Sequence, residues 1–279
     1  MSKRSLDLNR HTYGATETVT HYAALNYLTP CERMLFGSYV RSSSAILDLG
    51  VGGGRTTPFL AQKASSYVGV DYIPAMIEEC RRKFPALEFK VADAANLSAF
   101  ADASFDAVVF AFNGIDFVIP DSARMRCLQH IRRVLKPGGV VVFSSHNARA
   151  ILVRPSWNRE RLLRAALRFS LGSQMVASAW MVILTGVRVV LAYCQALLKT
   201  FGRIAKRIPA KAFWRGEGWL LDSAHGGLYT HYAVPGRVIA ELEALNFCCD
   251  RILGDDFPRP SHPLATDWYY YVFIKPLDK

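Results

Sequence analysis

Residues 44–56 read Ser44-Ala45-Ile46-Leu47-Asp48-Leu49-Gly50-Val51-Gly52-Gly53-Gly54-Arg55-Thr56, a short apolar run opening into a glycine-rich turn. Open α/β sheets bind ligands beyond the C-terminal ends of their strands, where the strand order reverses, so the loop after the first strand carries the first functional signal. A dinucleotide fingerprint of the form G-x-G-x-x-G would need glycine at position 55, where Arg55 stands. The spacing present is D-x-G-x-G-x-G through Asp48, Gly50, Gly52 and Gly54. Residues without Cβ let the backbone approach a ligand closely and adopt positive φ. Asp48 is suited either to order the turn or to receive a ligand's ammonium group.

Outward from this loop, β-rich runs alternate with helical stretches, the pattern of βαβ units and a parallel sheet. The strands read as Ala45–Leu49, Tyr67–Val70, Leu87–Val91, Ala107–Ala111 and Val140–Ser144. Helices are expected at Thr56–Ala64, at Pro74–Phe84 with Pro74 starting it, near Asn96–Phe100, and at Asp121–Leu135 before Lys136-Pro137-Gly138-Gly139. After a long interruption the pattern resumes with a helix at Pro235–Asn246 and strands at Phe247–Leu253 and Trp268–Ile274. The fold class is therefore α/β, a doubly wound, mostly parallel sheet of seven strands with an insertion after strand five.

Two further anchors follow the glycines. Val68-Gly69-Val70-Asp71 ends the second strand with an acid about twenty residues downstream, where a carboxylate can accept both hydroxyls of a ribose. NAD-binding domains share that acid. Val91-Ala92-Asp93-Ala94 ends the third strand with an acid and a small residue, suited to accept from an adenine amino group and to let the ring slide in.

With these motifs in order, the chain resembles the class I methyltransferases dependent on S-adenosylmethionine (SAM), of the Rossmann-like type 11/25 kind. ILDLGVGGGRT is similar to the family's glycine motif, VGVDYIPAMIEEC to its acidic motif with a Met five residues after the acid, ADAANLSAFADASFDAVVFAF to its third and fourth motifs, and RVLKPGGVVVFSSHN to the run into its fifth strand. The resemblance implies that the last strand is antiparallel and that SAM is the cofactor. It assigns Asp48, Gly50, Gly52 and Gly54 to the methionine end of SAM, Asp71 to the ribose, Tyr72 and Met76 to the adenine face, and Asp93 with Ala94 to the adenine edge. Phe112 and Asn113 would floor the site near the sulfonium. Met76 reads equally well as a core methionine.

Methyl transfer starts from an activated donor, so the protein has mainly to position the acceptor and remove its proton. Enzymes acting on base or amide nitrogens often carry an N/D-P-P-Y-like motif after strand four, whereas this chain has Asn113-Gly114-Ile115-Asp116, without Pro or a stacking Tyr. That counts against a nucleobase amine, and Asp116 is left as a holder for a cationic substrate. His146, directly after strand five, is the leading general-base candidate, against the plainer reading of a loop-bonding histidine. His225 and His231, within His225-Gly226-Gly227-Leu228-Tyr229-Thr230-His231-Tyr232, read as part of a loop facing substrate, or as a plain connector.

Charge locates what is peculiar to this chain. The net charge is +11, and twelve basic residues against the one acid Glu160 lie between Arg154 and Arg215. There Arg161, Arg164 and Arg168 share one arc of an expected helix while Leu162, Leu163, Ala166, Leu167 and Phe169 share another, and Met175–Val187 carries no charge. A central Arg188 makes a membrane span unfavourable. A helical lid over substrate and a lid that docks on an anionic membrane surface both remain. Nucleic acid is disfavoured as a partner, because the aromatics are not interleaved with the basic residues.

The chain divides into an N-terminal helical cap (1–43), a SAM-binding α/β core (44–146), a basic, apolar helical insertion (147–233) and the C-terminal part of the core (234–279). The six cysteines show no CxxC pair and the N-terminus no apolar h-region, so a reduced, cytoplasmic protein without a structural metal is expected, peripheral to the inner membrane face if the insertion docks. The expected function is methylation of a hydroxyl or amine on a small-molecule or lipid-linked metabolite. The rivals are a membrane-associated SAM- or lipid-binding protein without turnover and an RNA methyltransferase. Oligomeric state is not legible.

Overall fold

The computed structural model describes residues 3–150, 210–222 and 228–277. Three N-terminal helices, α1 (Lys3–Gly14), α2 (Thr16–Ala24) and α3 (Pro30–Tyr39), precede β1 (Ser44–Leu49), α4 (Thr57–Ala61), β2 (Ala64–Asp71), α5 (Pro74–Lys83), β3 (Glu88–Val91) and β4 (Phe105–Phe110). A 3-10 turn, Gly114–Phe117, then leads to α6 (Asp121–Val134) and β5 (Leu135–His146). The chain is described again from α7 (Ala210–Arg215) through β6 (Glu217–Asp222), β7 (Leu228–Ala233), α8 (Pro235–Glu243), β8 (Cys248–Gly254) and β9 (Trp268–Ile274).

The main sheet has the order β3-β2-β1-β4-β5-β9-β8. The first five strands run parallel, and β9 is antiparallel to both of its neighbours, pairing Val140 with Ile274 and His146 with Trp268. Strand alternation sends successive side chains to opposite faces, and each face has its own core. Leu47, Val108, Val141 and Tyr271 pack with Leu128 and Ile131 of α6 and Val238 and Leu242 of α8. Ile46, Val109, Val142 and Tyr270 pack on the other face with Leu35 and Phe36 of α3 and Ile77 of α5. The strand order reverses between β1 and β4, and the cleft that matters opens at their C-terminal ends.

Local chemistry fixes the helix starts. Thr29 Oγ1 accepts from the Glu32 N–H at 3.2 Å while Glu32 Oε2 accepts from the Thr29 N–H at 2.9 Å, a capping box with Pro30 at the first helical position of α3. Helix α5 also starts on proline, Pro74, and ends on Arg81, Arg82 and Lys83, whose charges suit the negative end of its dipole.

Two expectations are corrected. Asn96–Phe100 is no helix but a pair of turns, with Asn96 N–H on Asp93 O and Phe100 N–H on Leu97 O, because burying Leu97 and Phe100 decides the path. The end of the insertion is not helical throughout: β6 and β7 form an antiparallel two-stranded sheet in which Trp219 pairs with His231. The segment ending at Tyr232, read as a substrate-facing loop or a plain connector, is a strand from Leu228 on, with Leu228 and Thr230 buried. The expected amphipathic helix with Arg161, Arg164 and Arg168, the uncharged run Met175–Val187, and His225 lie outside the described residues. Among the described residues no helix is long and apolar enough to cross a membrane.

Candidate functional site

The glycine loop closes on itself and on β2. Gly50 and Gly52 take φ of 60° and 53°, and a Cβ at Gly50 would sit 2.6 Å from the Phe110 ring. The Gly52 N–H donates to Asp71 Oδ2 at 2.9 Å, and the Val51 N–H to Val70 O at 3.0 Å. Gly53, which the spacing motif treats as a free position, is the tightest of the four. A Cβ there would meet the Ala23 backbone at 2.4 Å, so α2 lies directly on the loop.

A cavity opens above the loop. Gly50, Gly52, Asp71, Tyr72, Met76, Asp93, Ala94 and Phe112 all border it, from four successive strand ends. Arg10 and Tyr13 of α1 and Tyr22 of α2 border it from above. Asp71 is buried, and its Oδ1 accepts the Ile73 N–H at 2.9 Å; burial, countered by the backbone donors, pushes its pKa up to about 6. Met76 is 2 % exposed, and the Tyr72 hydroxyl is buried without a partner among the described residues. Asp93 is exposed and spends Oδ1 on the Ala95 N–H at 2.8 Å.

Asp48 and Gly54 do not border the cavity. Asp48 Oδ2 accepts from the Thr56 and Tyr67 hydroxyls, each at 2.8 Å, and burial raises its pKa to about 6 against those two bonds. Of its two sequence readings, ordering the turn is the one its contacts express. These features fit SAM: a buried carboxylate with remaining lone pairs beside two glycines, an apolar slot at Met76 and Ala94, and an unpartnered hydroxyl on Tyr72.

Beyond β4, Phe112 and Asn113 both take positive φ, 56° and 62°, unusual for side chains of their size and a mark of a strained turn. The Asn113 N–H donates to Ser144 Oγ at 2.7 Å, which ties the turn to β5. His146 is not on the cavity wall. It stands behind Phe117, which does border the cavity and meets the imidazole edge-on at 6.2 Å, and Tyr232 lies 4.9 Å away on another side.

Asp116, which the sequence left open as a holder for a cationic substrate, is fully buried and engaged within the protein. Its Oδ1 accepts from Ser145 Oγ at 2.7 Å, and its Oδ2 accepts the His146 N–H at 2.7 Å and lies 2.8 Å from His146 Nδ1. An ionised carboxylate only accepts, so Nδ1 carries the proton and Nε2 is left with its lone pair. That lone pair faces Asn113 Nδ2 at 3.2 Å. His231 lies in β7 with Nδ1 3.9 Å from Asp116 Oδ1, too long for a hydrogen bond, and burial lowers its pKa to about 4. The Asp116–His146 pairing escaped sequence reasoning; the available signal was that Asp116 lies just beyond the end of β4 and His146 at the end of its neighbour β5.

Arg55, the residue that breaks the dinucleotide fingerprint, holds the site together. Its guanidinium donates to both carboxylate oxygens of Glu32 at 2.7 and 2.6 Å and to Tyr27 O at 2.9 Å. It lies over the rings of Tyr27 and Phe112 at 5.2 and 4.8 Å.

Sheet order, switch-point cleft and acid spacing together define a class I, Rossmann-like methyltransferase fold. Residues 46–139 match the family model described as "Methyltransferase domain". The demethylmenaquinone methyltransferase of Beutenbergia cavernae is 38% identical over 102 residues, 37% of this chain and 40% of that one. The trans-aconitate 2-methyltransferase of Methylobacterium radiotolerans is 30% identical over 114 residues, 40% of this chain and 42% of that one. The match thus spans about two-fifths of the length of these relatives. A solved SAM-dependent methyltransferase from Methanosarcina mazei shares the fold, with a TM-score of 0.55 at 20% identity over 91% of this chain and 100% of that one.

Proposed function

We propose that the protein transfers a methyl group from SAM to a hydroxyl or amine of a small-molecule or lipid-linked metabolite. The observation that carries this is the single cavity bordered by the glycine loop, Asp71, Tyr72, Met76, Asp93 and Ala94, within a segment matching a methyltransferase domain. Asp71 would take the ribose hydroxyls, Tyr72 and Met76 the faces of the adenine, and Asp93 its amino group. Gly50 and Gly52 let the backbone approach the methionine end, and Phe112 lies under the sulfonium. When bound, SAM supplies an activated methyl carbon that leaves sulfur without its electron pair.

The remaining chemistry belongs to the chain. Asp116 fixes the His146 tautomer, so that Nε2 is the basic nitrogen. An acceptor hydroxyl would replace Asn113 Nδ2 at that lone pair and give its proton to it, which requires the Phe117 ring to move from between His146 and the cavity. The 3.2 Å contact, at the long end of hydrogen bonds, is a weak one to displace. The relatives named demethylmenaquinone methyltransferase and trans-aconitate 2-methyltransferase support a small-molecule or lipid-linked acceptor in the coarse sense. The excess of basic residues in 154–215 supports recruitment to an anionic membrane surface, where a lipid-linked acceptor would reside.

The test is to incubate the protein with methyl-labelled SAM and metabolite or lipid extracts. Label in an organic product together with S-adenosylhomocysteine supports the reading. SAM binding with no transfer to any extract would leave the rival, a binding protein without turnover.

A further inference from the structure

The two helices that border the cavity have separate anchors. Helix α2 rests on the glycine loop, where Lys83 Nζ donates to Ala23 O at 2.8 Å and to Gly53 O. Helix α1 is held by Asn9, whose side chain is fully buried. Asn9 Nδ2 donates to Tyr229 O at 2.8 Å, and Asn9 Oδ1 accepts the Tyr229 N–H at 2.8 Å. A strand residue turns its N–H and C=O to the same side, and one amide, with a donor and an acceptor, matches both as a neighbouring strand would. β7 pairs with β6 along one edge, and Asn9 satisfies the other at Tyr229.

What Asn9 holds in place is a wall of the cavity. Tyr13, four residues on and so on the same face of α1, borders the cavity together with Arg10. The Tyr13 ring meets Phe117 edge-on at 5.4 Å and lies 6.0 Å from the ring of Tyr22, and the Arg10 guanidinium lies over the Tyr72 ring at 5.8 Å. Burial, with Tyr22, Tyr72 and Asp71 close by, holds the Tyr13 phenol well above its usual pKa, so it stays a neutral donor. The strand that Asn9 grips also carries Tyr232, whose ring is 4.9 Å from His146. One strand therefore touches both the helix that walls the cavity and the proposed base.

We infer that Asn9 is a positioning residue for the cofactor: by gripping Tyr229 it holds Tyr13 and Arg10 against bound SAM, and it ties retention of SAM to the strand beside His146. This rests on the SAM reading of the cavity. Coupling of this kind is reciprocal, so a ligand in the cavity should in turn tighten the Asn9–Tyr229 contact.

The test uses the full chain and S-adenosylhomocysteine. Asn9→Ala removes both hydrogen bonds and should speed release of the ligand at least about tenfold in stopped-flow displacement. A purely structural asparagine would lower the melting temperature and leave release from the folded protein as it was; that outcome, in a variant that still binds, overturns this inference alone. A wild type that does not bind the ligand overturns the SAM reading and this inference with it. Should the variant not fold, hydrogen exchange of the wild-type Tyr229 N–H, followed by NMR, decides. Slowing by the ligand that exceeds the slowing at Val141, in the middle of the main sheet, supports the coupling, and equal slowing at the two amides overturns it.

Discussion

Replacing Asp71 with Asn tests the cofactor reading most directly. A carboxylate offers about four lone-pair sites. Gly52 and Ile73 backbone N–H groups hold one on each oxygen, both at 2.9 Å, and the others are available to the ribose. The amide removes the charge and turns one oxygen into a donor that must face a backbone N–H. Hydrogen bonds to charged groups contribute about 1.5–3 kcal/mol each, so losing two costs about 3–6 kcal/mol. At about 1.4 kcal/mol per tenfold, SAM affinity should fall by at least about 100-fold. Calorimetry with SAM and with S-adenosylhomocysteine measures it, and a thermal melt checks that the loop still folds. A well-folded variant whose Kd stays within about threefold of wild type would refute the assignment of Asp71 to the ribose.

Further expectations follow from the same contacts. Ribose hydroxyls donate to ionised Asp71, whose pKa stands at about 6, so SAM affinity should be full above that pH and decline as pH falls through it; a flat profile between pH 7 and pH 5 would contradict this. His146→Ala should lower kcat with SAM affinity intact, and Asp116→Asn should lower kcat in the same way, since the amide no longer fixes the Nδ1 proton; full turnover in both would return the pair to a structural role. Asp48→Ala strands the buried Thr56 hydroxyl and leaves Tyr67 only Thr57 Oγ1 at 2.9 Å, and should lower stability by about 1–3 kcal/mol in denaturant titrations while weakening SAM far less than Asp71→Asn. The protein should sediment with anionic but not neutral vesicles, with Arg161, Arg164 and Arg168 changed together to Gln weakening this; indifference to both vesicles would make residues 154–215 irrelevant to membranes.

The sheet was legible because buried parallel strands are short apolar runs, and those around Leu47, Val70, Val109 and Val142 stand out between helix-forming stretches. That Asp71 and Asp93 would border the cavity was legible for a related reason: a residue ending such a run lies at the edge of the sheet where clefts open. The β6–β7 hairpin was hidden, since two glycines and several polar aromatics look like a loop and nothing local to 228–232 reveals its partner in 217–222. Asp48 was ambiguous because spacing gives its place but not its hydrogen bonds. The engagement of Asp116 was hidden for the same reason: its partners Ser145 and His146 are about thirty residues away and meet it only when β4 and β5 pair.

The clasp between Arg55 and Glu32 also constrains how this sequence can change. Both side chains are buried, at 7% and 1% exposure, so losing one strands the other's charge at a cost of about 3–5 kcal/mol. That is a large share of the roughly 5–15 kcal/mol that holds a typical domain folded. Replacing both together with apolar residues is often neutral. Single substitutions therefore cross a valley that the double change avoids, and among descendants of this chain the two positions should be gained and lost as a pair. The same tie limits recombination. Glu32 belongs to α3 and Arg55 to the glycine loop, so a chimaera joined between residues 33 and 54 inherits half a clasp unless its other parent carries the matching half.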